Sequence, residues 1–498
     1  MFAAWAVVGS SWVFPELSAN SDEGVYLLQA DAIAAGRLAP DAPAQDPEAY
    51  LPWFAVVRDS SYVVKYTPVH AAVLAAADVG FGSPRVALAA IAATQVVLIT
   101  ALARELGARR NAALLAAALF VISPIALLLS ITFLAYGTSL VLLLATTLAA
   151  LRAVRRRSRA AAAVAGALWG VATFARPYDG VLVALIVVAG VAFAMRRQVR
   201  DLAAPFAWAL VGAVAPVVLF LLYNRAATGD LLQLPFTQLD PRDRLGFGLR
   251  AALPTDAPLD YTPARAVAAL GRNLLLLVAW TGGGLLTCAL AIEALARRRL
   301  RGGAVLVALL AVWPAGYLLF WGTYLTAYVW DGALFLGPYY YFPMVAALAI
   351  AAAVTLGELW RRRPLSGLVA AAGAVVLSAA VAVPALRDQL DRTSQRVAVA
   401  DAVAANVGHD ALVFVPPLYG NYLQNPFSFL RNTAELDGEI VYALDRGDAA
   451  NRAVQAAHRA RTAYRLVLGN GWSDQPGFQP DVRIERLPPI GRHPEREP

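Results

Sequence analysis

Few residues in this chain can do chemistry, and they are widely spaced. The first group is Asn20-Ser21-Asp22-Glu23-Gly24, directly after an apolar run. Asn and Ser before two acids mark a helix start, and Val25 to Ala30 continues it as an amphipathic segment suited to a membrane surface. Acids in a first helical turn complement the helix dipole, and a carboxylate there is also placed to accept a proton. Spacing alone leaves both roles open. The second group centres on Lys65, the one lysine among 42 Lys and Arg residues. Heavy Ala and Arg usage is what GC-rich coding produces, so most arginines carry no message and the lone lysine stands out. Arg176-Pro177-Tyr178-Asp179 puts an arginine before a helix-starting proline at the end of a span, where snorkelling and anion contact are both open. Cys288 is the single cysteine, the four histidines (His70, His409, His458, His493) have no ligand spacing, and no Asp-x-Asp occurs. Neither a disulfide nor an essential metal is expected.

The elements that hold these residues must fold in lipid. The chain is 59% hydrophobic and 15% charged, with a mean hydropathy of +0.57. Runs this long and apolar cross a bilayer as helices. The net charge of +8 does not point to nucleic acid, because the arginines cluster between apolar runs. Five clusters occur: Arg104/Arg109/Arg110, Arg152 with Arg155 to Arg157 and Arg159, Arg196/Arg197/Arg200, Arg297 to Arg299 with Arg301, and Arg361 to Arg363. The positive-inside rule puts all five in the cytoplasm. Spans then fall near 84–103, 111–131, 133–151, 160–175, 178–195, 202–223, 268–296, 304–322, 339–360 and 366–384. The run Phe2 to Phe14 makes an eleventh, although at ~1.5 Å per residue it covers only ~20 Å of a ~30 Å core. A short or truncated span fits it better than a signal peptide, since no basic region precedes it and no small-residue cleavage site follows.

This topology puts the N-terminus inside and the C-terminus outside. The first loop, 16–66, carries eight acids against three bases, in keeping with an external position. A second loop lies near 225–266. From about residue 386 the membrane composition ends. Strand-like runs at Ala411 to Val415, Glu439 to Leu444, Tyr464 to Leu468 and Val482 to Leu487 alternate with a helical stretch, Asp448 to Arg461. The expected fold is an all-α polytopic membrane domain, 1–385, a small external α/β domain, 386–490, and a disordered tail, 491–498.

Asp22-Glu23 after the first span, followed by Tyr-Leu-x-x-Ala-x-x-x-x-x-Gly, resembles the opening of the GT-C glycosyltransferases, in particular glycosyltransferase family 39 and the aminoarabinose transferases. Lys65-Tyr66-Thr67-Pro68 is similar to the Lys-Tyr-Pro-Pro-Gly of that family, and Arg-Pro is common there at the place of Arg176-Pro177. Thr228-Gly229-Asp230, Pro241 to Gly248 and Tyr422-Leu423-Gln424-Asn425-Pro426 resemble stretches of bacterial members. Two departures stand out. Gly337-Pro338-Tyr339-Tyr340-Tyr341 has a tyrosine where relatives often carry arginine, and the turn Phe133 to Thr138 has no acid.

The resemblance implies an enzyme of the bacterial plasma membrane that takes a sugar from a polyprenyl-phosphate donor and passes it to an envelope glycan, lipid or protein. Asp22 would be the base and Glu23 its neighbour in the site. Lys65, with Tyr66 and Arg176, would hold the departing phosphate; a helix start weakens a carboxylate as a base, whereas partial desolvation strengthens it. Arg242, Arg244 and Tyr340 are weaker substrate contacts. One displacement implies inversion. The alternatives are a transporter or flippase for a lipid-linked saccharide, which calls for interrupted helices around a mid-membrane site, and a non-catalytic envelope scaffold.

Overall fold

The computed structural model describes residues 1–194, 202–329, 336–417, 426–473 and 477–489. The cluster Arg196/Arg197/Arg200, the stretch Tyr422 to Asn425 and the tail 491–498 lie outside the described residues. In chain order the helices begin with α1 (Phe2–Val13), α2 (Asp22–Ala34), α3 (Pro68–Phe81), α4 (Arg85–Glu105), α5 (Arg110–Val121) and α6 (Pro124–Leu129). Next come α7 (Tyr136–Arg155), α8 (Arg159–Ala175), α9 (Pro177–Ala194), α10 (Ala203–Thr228), α11 (Pro235–Leu239) and α12 (Pro263–Trp280). The last are α13 (Gly284–Ala296), α14 (Gly303–Tyr317), α15 (Gly322–Tyr324), α16 (Phe342–Arg362), α17 (Pro364–Asn406) and α18 (Asp448–Ala457). The strands are β1 (Ala55–Arg58), β2 (Ser61–Val64), β3 (Gly248–Arg250), β4 (Leu259–Tyr261), β5 (Ala411–Val415), β6 (Ile440–Leu444), β7 (Thr462–Leu468) and β8 (Val482–Arg486). Two compact units result, one of residues 1–9 with 84–387 and one of 10–83 with 388–498. This grouping cuts across the division at residue 385 drawn from composition, because the first loop belongs with the C-terminal segment.

The larger unit is a multi-pass helical body. Among the described residues, five helices are long and apolar enough to span a membrane, or seven if each of two bent pairs counts as one span, and shorter apolar helices accompany them. The expected spans 268–296 and 304–322 are both broken, by 100° between α12 and α13 and by 96° between α14 and the segment from Gly322. The expected span 111–131 is divided into α5 and α6. Small residues set the tightest packing. A Cβ on Gly166 would stand 1.7 Å from the Ala209 carbonyl oxygen, and one on Gly212 would stand 1.9 Å from that of Ala163, so α8 and α10 touch backbone to backbone.

The four arginine clusters among the described residues gather at one end of this unit. Arg152 reaches Glu105 at 3.5 Å, Arg155 also bonds Glu105, and the Arg301 amide donates to the Leu106 carbonyl at 3.0 Å. Arg299 joins Glu293 (2.9 Å) to Glu358, which also pairs with Arg362. Because α7, α8, α14 and α16 each have one end here, Tyr136, Arg176, Tyr317 and Tyr341 lie at the opposite end.

In the smaller unit, β5 to β8 form a mixed sheet of order β6-β5-β7-β8, parallel from β6 to β7 with β8 antiparallel. Its four strands and α18 fall within a few residues of their sequence assignments. Val399 and Val403 of α17 cover it together with Phe427, Phe429 and Leu430. The first loop is fastened to this domain. Arg446 pairs with Asp46, Arg37 with Glu435, and the Tyr50 hydroxyl meets His458 Nε2 at 2.8 Å. Burial pushes the Tyr50 phenol up to about 12 and His458 below its ordinary value, which favours the neutral form of each group at this joint.

Helix α2 is not the amphipathic surface helix expected. Glu23, Gly24, Val25, Tyr26 and Leu27 are all buried, which leaves only Asp22 and Leu28 part-exposed along its first two turns. Gly24 explains how. A Cβ there would sit 2.7 Å from Ser428 Cα and 2.8 Å from its carbonyl oxygen. Gly24→Ala should therefore cost about 1–3 kcal/mol by overpacking against backbone that cannot rotate away. Thermal unfolding of the purified protein checks this; an unchanged melting temperature would contradict the close approach.

Candidate functional site

In the smaller unit, a short polar turn sets the start of α2. Ser18 donates from both its amide (3.2 Å) and its hydroxyl to Glu23 Oε1, and its Oγ accepts from the Asn20 amide at 3.2 Å. Asn20 supplies the cap, taking the Asp22 amide on Oδ1 (3.1 Å) and the Glu23 amide on its carbonyl (3.2 Å). The two acids are thus separated by environment. Glu23 is fully buried and braces the turn, while Asp22 is half-buried at the first helical position.

Lys65 follows directly on β2. The β1–β2 hairpin, paired from Ala55↔Val64 to Arg58↔Ser61, ends with the Lys65 amide bonded to the Phe54 carbonyl at 2.9 Å. The ammonium lies 4.0 Å above the Phe54 ring, with the residue only 6% exposed. Next to it, Tyr66 stacks on Tyr26 at 4.6 Å and its carbonyl accepts from Gln29 at 3.2 Å. His70 packs edge-on against the other neighbour, Tyr26, at 5.0 Å. Tyr26 stands one turn beyond Asp22 on the same face of α2. The elements carrying Asp22 and Lys65 are therefore packed together through the Tyr26–Tyr66 stack.

Sequence reasoning missed Arg396. This α17 residue is 1% exposed; it donates to Ser428 Oγ at 2.9 Å and to the Ala19 carbonyl at 3.4 Å, and lies 5.1 Å over Phe429. It ties the turn before Asp22 to the segment against which Gly24 packs. No local pattern could have revealed it, because its partners are 32 and 377 residues away.

In the larger unit, Arg176 closes α8 with its guanidinium 4.6 Å over Tyr136. Asp179 holds it by a 2.6 Å bond from Nε, and also accepts from Ser139 (2.9 Å) and Tyr317 (2.6 Å). Tyr136 packs against Tyr339 at 4.9 Å and Tyr340 at 5.8 Å, while the Tyr340 carbonyl takes the Trp313 indole at 2.8 Å. Tyr339, at the place where relatives often have arginine, thus shares an aromatic cluster with an arginine from another helix. Arg242 is engaged within its own loop. Its Nη2 lies 2.6 Å from Asp240, and this bond holds the buried Asp240 carboxyl below its ordinary range. Arg244 is exposed. Thr228-Gly229-Asp230 ends α10 through a left-handed Gly229 and an Asp230 carboxylate capping the Leu232 amide at 2.7 Å. An apolar cavity of about 550 Å³ opens among α7 to α10, beside Trp169 and Phe206, and has no charged side chain in its described lining. It suits an apolar chain and not reacting groups.

This arrangement is the GT-C fold. The structure matches that of ArnT from Cupriavidus metallidurans bound to undecaprenyl phosphate, with a TM-score of 0.56 and 15% identity over 94% of this chain and 92% of that one. The apo state of the same protein matches with a TM-score of 0.51. An oligosaccharyltransferase from Archaeoglobus fulgidus overlaps less closely, with a TM-score of 0.48 and 13% identity over 94% of this chain and 69% of that one. Residues 411–489 match a family model described only as a domain of unknown function (DUF7846). No curated protein matches the chain in sequence.

Proposed function

We propose that the chain is a membrane glycosyltransferase that moves a sugar from a polyprenyl-phosphate donor to an acceptor outside the cytoplasm, with inversion. The observation that carries this reading is the joining of the Asp22 helix start and the Lys65 turn through the Tyr26–Tyr66 stack, in a chain with the GT-C fold. Asp22 takes the proton of an acceptor hydroxyl, whose oxygen attacks the anomeric carbon. The bond from that carbon to the phosphate oxygen breaks, and its electron pair leaves with the polyprenyl phosphate. Lys65 stabilises the leaving charge, and Glu23 positions the helix start. Tyr66 supplies aromatic surface beside Lys65. The undecaprenyl phosphate bound to ArnT supports a lipid-phosphate donor.

We place the arginine-rich end of the larger unit in the cytoplasm and the loop carrying Asp22 outside, where nucleotide sugars are absent and a lipid-carried donor is required. The two bent helix pairs favour a second reading, a lipid-saccharide flippase, since interrupted helices are what such a site uses. Mass spectrometry of envelope glycans separates the readings in the cell. Deleting the transferase should remove one sugar from one glycan, lipid or protein and leave the rest; loss of whole repeat units would favour the flippase.

A further inference from the structure

The loop between α10 and α12 is built the wrong way round for water. It contains the stretch 241–248, which the proposed chemistry leaves unused. Exposure alternates toward its tip: Leu245, Phe247 and Leu249 are 42%, 43% and 57% exposed, whereas Arg250 is 4% exposed. The positions between the three apolar residues are Gly246 and Gly248, at φ of 93° and 108°, which only glycine adopts freely. Both lie against the Arg250 guanidinium, where a Cβ would stand 3.6 and 3.7 Å from it. Arg250 Nη1 donates to the Leu249 carbonyl at 2.8 Å, and Nη2 to those of Phe247 at 2.5 Å and Leu245 at 3.2 Å. Among the described residues it forms no ion pair, so carbonyls of its own loop hold the charge. A cation kept inside while three large apolar side chains stay outside is the reverse of what water selects.

Looseness does not account for the exposure. The Gly246 amide donates to the Leu319 carbonyl at 2.8 Å and the Trp321 indole to Asp243 at 3.1 Å. Phe247 packs 5.8 Å from the buried Tyr261, whose hydroxyl donates to the Leu318 carbonyl at 3.0 Å. Leu318, Leu319 and Trp321 directly follow α14, at the end of the larger unit opposite the arginine clusters. The apolar surface also continues from a span along the chain. Helix α10, long and apolar enough to cross a bilayer, exposes Leu219 and Leu222 toward its end, and the chain beyond it exposes Leu231 and Leu232. Exposed apolar patches mark a membrane or a protein partner. Continuity with α10 favours lipid, and the exposed Arg244 beside Leu245 has the charge that complements lipid phosphates.

We infer that the loop tip 245–249 is inserted in the bilayer, at the boundary of headgroups and acyl chains in the leaflet opposite the arginine clusters. Naming that leaflet the outer one rests on the orientation proposed above; the insertion does not. Two measurements on the full-length protein in nanodiscs of phosphatidylcholine and phosphatidylglycerol test it. Spin labels would be placed singly by Leu245→Cys, Phe247→Cys and Leu249→Cys, after Cys288→Ser removes the one native cysteine. Collisions with oxygen, which concentrates in lipid, should exceed those with a water-soluble nickel chelate at all three positions. The unmutated chain would also be irradiated among lipids that carry a diazirine in the acyl chain. Trypsin cuts after Arg244 and Arg250, so adducts should appear on the released peptide 245–250. This second measurement stands if a cysteine variant misfolds. Collisions dominated by the chelate, a tip shielded from both reagents as under a protein partner, or a peptide without adducts would overturn the proposal.

Discussion

Purified Asp22→Asn protein should melt within a degree or two of the parent chain yet transfer sugar ~100- to ~10,000-fold more slowly, the range general bases contribute. The substitution keeps size and polarity and removes proton acceptance. The geometry sharpens the test, because capping of α2 comes from Asn20 and bracing of the turn from Glu23 and Ser18. A lost cap costs only ~1 kcal/mol, and its signature would be a lowered melting temperature. An activity loss matched by a stability loss would return Asp22 to a structural role, and near-normal turnover would remove it from the mechanism.

Lys65→Ala should slow donor turnover by ~100-fold, the effect of removing one group that meets charge developing in a transition state. Its structural cost is read separately. The contact over Phe54 is worth ~0.5–2 kcal/mol, and the hairpin is held by backbone pairing that the substitution leaves intact. Lys65→Arg keeps the charge and should retain part of the activity, limited by the larger guanidinium in a buried position. Single-turnover rates measured beside thermal unfolding separate the two contributions. Unchanged rates in the Ala variant would make Lys65 an interfacial anchor.

The extent to which sequence revealed structure followed the range of the interactions. The four strands of the C-terminal sheet were legible because short β-rich runs are a local signal, and Ala411–Val415 coincides with its assigned run. The breaks in 268–296 and 304–322 were hidden by continuous apolar composition, although Gly282-Gly283-Gly284 was a visible signal for the first. Asp22 and Lys65 could be read as candidates from local motifs. The burial of α2 could not, because it depends on Ser428, some 400 residues later, meeting a glycine. Arg396 escaped for the same reason: its contacts form only once distant segments meet. Arg242 was legible as a charged loop residue, and its partner Asp240 lies only two positions away.

The central claim is bond cleavage at a lipid-linked sugar, and one measurement addresses it directly. The purified chain would be reconstituted with a polyprenyl-phosphate sugar labelled in the sugar and with envelope acceptor, and the products followed by mass spectrometry and anomeric proton NMR. The account predicts free polyprenyl phosphate and labelled acceptor in equal amounts, with the anomeric configuration inverted and both products lost in Asp22→Asn. Donor that stays intact, or that only changes leaflet, would contradict it.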